Sequence, residues 1–161
     1  MLSKKILLFI VCSLLSAGLF AQDLTSGLIR KIPERKKSLY FSKGIFHIGN
    51  SKTSGLLKGI RHNYSSKEQF ERIVLDFDAK AIPQVYGAIL NNKNKIHLDL
   101  FNTDLGSNMG SFGKSKFIET INFIPISGES LSVEILLNTN IQVDLFSLKN
   151  PPRLVLDVKK L

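Results

Sequence analysis

The stretch I-V-L-D-F-D-A-K-A-I-P-Q-V-Y-G-A-I-L-N-N-K-N-K-I-H-L-D-L, residues 73–100, alternates apolar and polar side chains in short segments. A second stretch, V-E-I-L-L-N-T-N-I-Q-V-D-L-F-S-L-K-N-P-P-R-L-V-L-D-V, residues 133–158, follows the same plan. Each contains a strand, a turn, a second strand, a short polar turn and a final strand. The two stretches therefore indicate an internal repeat.

A shift of 58 residues brings the second halves of these stretches into register. Apolar matches arise easily by chance, so the polar matches carry the weight. The polar pairs are Asn92 with Asn150, Lys95 with Arg153 and Asp99 with Asp157. The same shift aligns Phe77 with Ile135 and Val85 with Val143. Two copies of one strand pattern predict two similar sheets packed about a pseudo-twofold axis.

Turn residues separate apolar segments at intervals of about ten residues from residue 55 onward, which is typical of an all-β chain. The glycine-rich stretch 105–116 is predicted to be a loop, because a phosphate-binding glycine loop must open a helix and none follows here. The sequence therefore predicts a β-sandwich of two related antiparallel sheets. The predicted strands are 56–62, 72–78, 85–90, 95–101, 117–124, 132–137, 142–148 and 153–158.

The first 21 residues have the pattern of a secretory signal peptide. Lys4 and Lys5 precede an unbroken apolar run over residues 6–20, which is short for a membrane span. We expect cleavage after Ala21, and cleavage after Gly18 or retention as a signal anchor are the alternatives. The prediction is an exported, periplasmic protein, and its only cysteine lies inside the apolar run.

The positive charge of the chain is concentrated near its N-terminus. The chain has 161 residues, which is enough for one domain, and its formal net charge is +9. Residues 22–54 hold seven Lys and Arg against two Asp and Glu, whereas residues 55–161 hold 13 against 11. We expect 22–54 to be a basic, partly flexible segment and 55–161 to be the folded domain. Strand-like residues 39–41 and 45–48 of the basic segment are candidates for packing onto the edge of that domain. A nearly neutral domain argues against nucleic acid as the partner.

Strand alternation selects candidate binding residues on the outer faces of the predicted sheets. Three segments, 72–77, 95–100 and 153–158, each place a cation and an aspartate outward. Such side chains suit hydrogen bonding to a polar polymer, and the alternative is cross-strand ion pairing on a solvated face. The candidates are Arg72, Asp76, Lys95, Asp99, Arg153 and Asp157.

Several motifs between residues 56 and 160 match a known family. They are G-I-R at 59–61, E-R-I-V-L-D-F at 71–77, K-I-H-L-D-L at 95–100 with N-x-x-L at 102–105, and N-P-P-R-L-V-L-D-V at 150–158. The chain resembles the AMIN domain of periplasmic N-acetylmuramoyl-L-alanine amidases and type IV pilus secretins. The resemblance implies a β-sandwich that binds peptidoglycan through outer sheet faces and localises its carrier. Lys95 departs from the family's usual arginine and lacks its planar fork.

No catalytic residue, metal site or cofactor is predicted. The three histidines lack zinc-binding spacing, and no Ser-His-Asp set stands out. A cell-wall amidase would need a further zinc-binding domain, for which we expect no room. The expected function is a non-catalytic peptidoglycan-binding module that localises itself or a partner, such as a cell-wall amidase. The alternative is a protein–protein adaptor that uses sheet edges within a secretin, pilus or flagellar complex. We expect neither a nucleic acid partner nor a membrane span after signal cleavage.

Overall fold

A computed structural model describes residues 29–31, 40–107, 109, 112–126 and 130–161. The predicted signal peptide lies outside the described residues, as does most of the basic segment before residue 40. The strands within the described ranges are β1 (Ile29–Lys31), β2 (Gly44–Ile48), β3 (Gly55–Ser65), β4 (Phe70–Asp78), β5 (Val85–Leu90), β6 (Lys95–Phe101), β7 (Thr103–Leu105), β8 (Ile118–Ile126), β9 (Ser130–Leu137), β10 (Ile141–Leu148) and β11 (Arg153–Lys160). One short 3-10 turn, Asn91–Lys93, joins β5 to β6.

These strands form two sheets that pack face to face. Sheet A has the order β1-β2-β5-β6-β9-β8, and sheet B has the order β10-β11-β4-β3-β7. Neighbouring strands are antiparallel except in the pairs β1–β2 and β3–β7. The predicted all-β sandwich is therefore confirmed, and each of the eight predicted segments falls on a strand.

A single apolar core fills the space between the two sheets. Alternate residues of each strand point into it, as the period of two requires. The inward positions predicted for the three candidate strands are all buried: Ile73, Leu75, Phe77, Ile96, Leu98, Leu100, Leu154, Leu156 and Val158. The opposite side chains of these strands therefore lie on the outer faces of the sandwich.

The internal repeat is visible in the strand order. The β5–β6 hairpin lies in sheet A and the β10–β11 hairpin lies in sheet B, with the same register. Val85 pairs with Leu100 in the first hairpin, and Val143 pairs with Val158 in the second. Each hairpin then pairs with a strand of the other copy, β6 with β9 and β11 with β4. The two copies thus complete each other's sheets in a pseudo-twofold arrangement.

The repeat register changes between β4 and β9. Leu75 is opposite Leu154, and Ile135 is opposite Ile96, which lies 58 residues before Leu154. The counterpart of Leu75 is therefore Ile135, a shift of 60. The predicted match of Phe77 with Ile135 is wrong by two residues. The cause is the connection after β4, residues 79–84, which is longer than the connection after β9, residues 138–140.

The sandwich begins before residue 55. Strand β2 lies inside sheet A between β1 and β5, and Phe46 and Ile48 belong to the core. Phe46 packs on Gly87, where an added Cβ would lie 2.2 Å from the Phe46 ring. Phe41 exchanges two backbone hydrogen bonds with Val143 of β10. The predicted domain boundary at residue 55 is therefore too late, because part of the basic segment supplies core side chains.

The strands that precede the two repeat copies, β3 and β8, each carry a β-bulge near their start. In β3 the register shifts between Leu57 and Gly59, so Lys58 is the extra residue. In β8 it shifts between Ile118 and Thr120. A bulge turns two successive side chains toward the same side and bends the strand. The matching bulges define equivalent positions in the two halves of the sandwich.

A buried glutamate fixes the connection that leads into β8. Glu71 occupies an inward position of β4 and is fully buried. Its Oε2 accepts hydrogen bonds from the backbone N–H groups of Lys116 and Phe117, at 3.1 and 2.8 Å. Its Oε1 accepts one from Ser115 Oγ at 2.7 Å and lies 2.7 Å from His62 Nδ1. These contacts satisfy a carboxylate that would otherwise be costly to bury.

Candidate functional site

The six predicted binding residues lie on both sheets. Lys95 and Asp99 lie on β6 in sheet A, whereas the other four lie on β4 and β11 in sheet B. The outer faces of the two sheets point away from each other, because their inner faces share the core. The structure therefore does not bring the six side chains together in one site.

Arg72 and Asp157 bind each other across neighbouring strands. Arg72 donates from Nε and Nη2 to the two Asp157 carboxylate oxygens, at 2.6 and 2.8 Å. The guanidinium also lies 5.2 Å from the centroid of the Phe70 ring and 5.6 Å from that of Phe146. The hydrogen bond to Asp157 raises the pKa of Arg72. This pair matches the ion-pairing alternative, since its charges are already satisfied by each other.

Asp157 and Val155 are buried although they point outward. Phe146 of β10 lies beside Val155, and Arg72 binds Asp157 from β4. Tyr40 also feels the charge of Asp157. The pKa of Tyr40 is raised to about 12, mainly by its own burial and secondly by the carboxylates of Asp157 and Asp144. The expectation that Asp157 is available on the sheet surface is therefore wrong, because neighbouring side chains enclose it.

Asp76 and Arg153 are opposite each other but bind other groups. Arg61 of β3 donates to both Asp76 carboxylate oxygens, at 2.6 and 2.8 Å, and this hydrogen bond raises the pKa of Arg61. Arg153 donates from Nε to the backbone oxygen of Pro151 at 3.4 Å. The Arg61 side chain is 62% exposed, so this pair lies open to solvent.

A continuous set of polar contacts runs across sheet A. Lys95 Nζ donates to Glu134 Oε1 at 2.6 Å, and His97 Nδ1 lies 3.6 Å from the same oxygen. His97 Nε2 lies 3.1 Å from Asp99 Oδ1, which also accepts a hydrogen bond from Ser132 Oγ. We call these five residues the polar ladder. These contacts join the five side chains into one network, in which each side chain is oriented by its neighbours.

The polar ladder favours the charged form of Glu134 and leaves both of its carboxylates accessible. The hydrogen bond from Lys95 holds the pKa of Glu134 below its usual range. The side chains of Glu134 and Asp99 are 23% and 37% exposed. A carboxylate offers about four lone-pair sites, more than these contacts use. The ladder can therefore accept further hydrogen bonds from a polar ligand.

Aromatic rings border the polar ladder. Tyr86 of β5 is directly opposite Asp99, and its ring centroid lies 4.8 Å from that of His47. The Tyr86 centroid also lies 5.8 Å from that of Phe101, which is an exposed side chain at the end of β6. Aromatic faces beside fixed carboxylates suit a sugar ring, whose C–H face stacks while its hydroxyl groups donate hydrogen bonds.

Several residues of this surface were not selected from the sequence. Glu134 and Ser132 bind the predicted Lys95 and Asp99, and Tyr86 borders them. The alternation in V-E-I, residues 133–135, already points Glu134 outward. The same argument applies to Tyr86 in V-Y-G. The signal was present, but only the sheet order shows that β5, β6 and β9 are neighbours.

Among the described residues, no three His, Cys, Asp or Glu side chains are grouped so that they could hold a metal ion. In the same part of the chain, no helix has the length and apolar character needed to cross a membrane. Comparisons with family models, curated proteins and solved structures find no match to this chain.

Proposed function

We propose that this chain is an exported, non-catalytic, AMIN-like module that binds peptidoglycan through the outer face of sheet A. The observation that carries the proposal is the polar ladder bordered by Tyr86 and Phe101. Binding to the wall would localise the protein, or a partner such as a cell-wall amidase, within the envelope. The family resemblance in the sequence motifs supports the same function.

A glycan strand fits this surface in size and chemistry. The ladder and its aromatic border extend over β5, β6 and β9, three adjacent strands about 4.8 Å apart. Sugar hydroxyl and acetamido N–H groups donate to Asp99 and Glu134, while Lys95 donates to sugar or acetamido oxygens. Because the ladder is preorganised by its own contacts, binding costs little side-chain entropy.

Sheet B has a different part in this proposal. Arg72 and Asp157 stabilise the sandwich rather than contact the glycan, since their charges are paired and Asp157 is buried. The basic residues of segment 22–54 add non-specific attraction to an anionic wall, which salt removes. Salt dependence therefore separates the contribution of the folded domain from that of the basic segment.

Co-sedimentation with purified sacculi tests the proposal, using residues 22–161 over a salt series. We expect binding to persist near 1 M salt, where the Debye length is about 3 Å. The double substitution Asp99→Asn with Glu134→Gln should abolish that salt-resistant binding. The matched control is Asp104→Asn with Glu119→Gln, which removes two exposed carboxylates that do not belong to the ladder. Equal sedimentation of all three proteins would contradict the proposal.

The adaptor alternative rests on the edge of sheet A. Among the described strands, β8 pairs only with β9, and its exposed Ile124 and Ile126 lie beside the free edge. An open strand edge with apolar side chains can accept a strand from another protein. This function predicts that Ile124→Lys with Ile126→Lys abolishes cross-linking to an envelope protein and leaves sedimentation with sacculi unchanged.

A further inference from the structure

A cleft opens on sheet B where the bulge of β3, the end of β4 and the turn before β11 meet. Its volume is about 630 Å³, within the range of small-molecule sites. Two cations, Lys58 and Arg61, and two carboxylates, Asp76 and Asp78, line it. The bulge at Lys58 is what turns this side chain and Arg61 toward the same side of the sheet.

The charged groups in the cleft retain unused bonding capacity. Arg61 directs Nε and one hydrogen of Nη2 at Asp76, which leaves three of its five N–H donors for a ligand. The paired carboxylate holds the guanidinium in place, and the side chain is still 62% exposed. Lys58 and Asp78 are exposed at the same opening. The cleft therefore presents donors and acceptors with no excess of either charge.

The remaining walls of the cleft are apolar, and no side chain of the described residues fills the space above its floor. Met109, Pro151 and Pro152 supply hydrocarbon surface around the charged groups. Gly59 forms part of the floor, and a Cβ added there would meet no atom within 4 Å. A glycine without a steric neighbour leaves space that a larger side chain would fill. The cleft thus combines an apolar wall with two charges of each sign, of which Arg61 and Asp76 hold each other in place.

We propose that this cleft binds the zwitterionic amino-acid end of a short peptide. Arg61 and Lys58 bind the carboxylate, and Asp78 with Asp76 bind the ammonium group. A dianion or a dication would satisfy only one sign of charge in a neutral cleft, whereas a zwitterion satisfies both. Peptidoglycan offers such ends where diamino acids occur in its peptides. The inference rests on the proposed function and deepens it, with glycan on sheet A and peptide on sheet B.

The other half of the sandwich shows that the backbone alone does not create this site. The pairing places Glu119 at the position of Lys58, Thr120 at that of Gly59, and Leu136 at that of Asp76. None of the cleft's cations recurs at those positions. The charged cleft is therefore a feature of one repeat copy, and the other copy provides a matched control.

The test is a titration of residues 22–161 with meso-diaminopimelate, followed by backbone amide NMR shifts. A ligand of this size is expected to bind with a Kd of about 1 mM. We expect saturable shifts at Lys58, Gly59 and Asp78. Pimelate, which lacks the ammonium groups, and 1,5-diaminopentane, which lacks the carboxylates, should each bind at least about fivefold more weakly. Gly59→Leu should weaken binding at least about tenfold, while Thr120→Leu should not change it.

Three outcomes would each overturn the inference. They are the absence of a saturable shift at the cleft, an affinity for pimelate equal to that for meso-diaminopimelate, and an unchanged affinity of the Gly59→Leu variant for meso-diaminopimelate. Sedimentation of the same proteins with sacculi reports separately on the proposed function. Loss of cleft binding with normal sedimentation contradicts the peptide site alone. Normal cleft binding without any sedimentation supports the zwitterion site and contradicts the wall-binding function.

Discussion

Asp99 and Asp157 occupy the same position in the two repeat copies, yet their environments differ. The Asp99 side chain is 37% exposed on sheet A, whereas that of Asp157 is 2% exposed on sheet B. The neighbouring strand places Ser132 beside the first and Arg72 beside the second. Arg72 binds both oxygens of an aspartate that is also buried, while Ser132 binds one oxygen of an aspartate that stays accessible. One copy thus carries a buried ion pair at this position, and the other carries an accessible carboxylate.

A second pair of equivalent positions differs in the same way. Glu71 of β4 corresponds to Leu131 of β9, and both side chains are buried. The leucine contributes only to the core, whereas the glutamate holds the connection before β8 through two backbone N–H groups. The repeat therefore determines the path of the backbone, and single side chains determine what each half does.

The largest expected effect comes from making the two halves alike at this buried position. Glu71→Leu should lower the free energy of unfolding by about 3–5 kcal/mol, because it removes a buried carboxylate and leaves its donors unpaired. Urea unfolding followed by circular dichroism measures the change. Glu68→Leu, at an exposed position nearby, should change stability by about 0.5 kcal/mol or less. A loss below about 1 kcal/mol for Glu71→Leu would show that the carboxylate does not anchor this connection.

The two aspartates should respond differently to the same substitution. Asp157→Asn leaves a half-buried guanidinium without its counter-charge, and we expect a loss of about 2–3 kcal/mol, since Arg72 is 40% exposed. Asp99→Asn should cost less than about 1 kcal/mol, because Asp99 and its partner His97 are both partly open to solvent. Thermal or urea unfolding of both variants provides the comparison. Equal losses would remove the distinction between a structural aspartate and a ligand-facing one.

A third prediction concerns the aromatic border that only sheet A carries. Tyr86→Ala should weaken binding of soluble glycan strands about tenfold by removing the stacking surface, with little change in stability. Isothermal titration calorimetry measures this affinity. Leu148→Ala, which removes an exposed apolar side chain from sheet B, is the control and should bind normally. Normal binding by Tyr86→Ala would exclude stacking as a source of affinity.

The smallest effect is a change in one ionisation equilibrium. Lys95 holds the pKa of Glu134 below its unfolded value, so the contact stabilises the fold above that value. This contribution is lost as the pH falls through the folded pKa. Lys95→Gln should therefore raise the pKa of Glu134, as measured by NMR titration of its side-chain carboxyl carbon. An unchanged pKa would mean that Lys95 does not contact Glu134 in solution.

Local patterns predicted the strands well, because alternation and turn residues are properties of neighbouring positions. They placed Lys95 and Asp99 on an outer face correctly. They indicated a strand at residues 45–48 but left it at the domain edge, because the charge of residues 22–54 argued against a core position for Phe46 and Ile48. A basic segment can still contain a core strand when its charges lie outside that strand.

The partners of the candidate residues could not be predicted locally. They depend on pairing between strands that are distant in the chain, β6 with β9 and β4 with β11. The strand order places Glu134 beside Lys95, and it places Arg72 beside Asp157. The cleft also escaped prediction, because it requires the bulge at Lys58 and a turn about ninety residues later.

The most direct test of the central claim is an NMR titration of residues 22–161 with glycan strands from which the peptides have been removed. Without peptides, the ligand reports only on the sugar-binding surface. Binding through the polar ladder predicts amide shifts concentrated on β5, β6 and β9, with sheet B unchanged. Shifts concentrated on sheet B, or no shifts at saturating glycan, would contradict the assignment of peptidoglycan binding to sheet A.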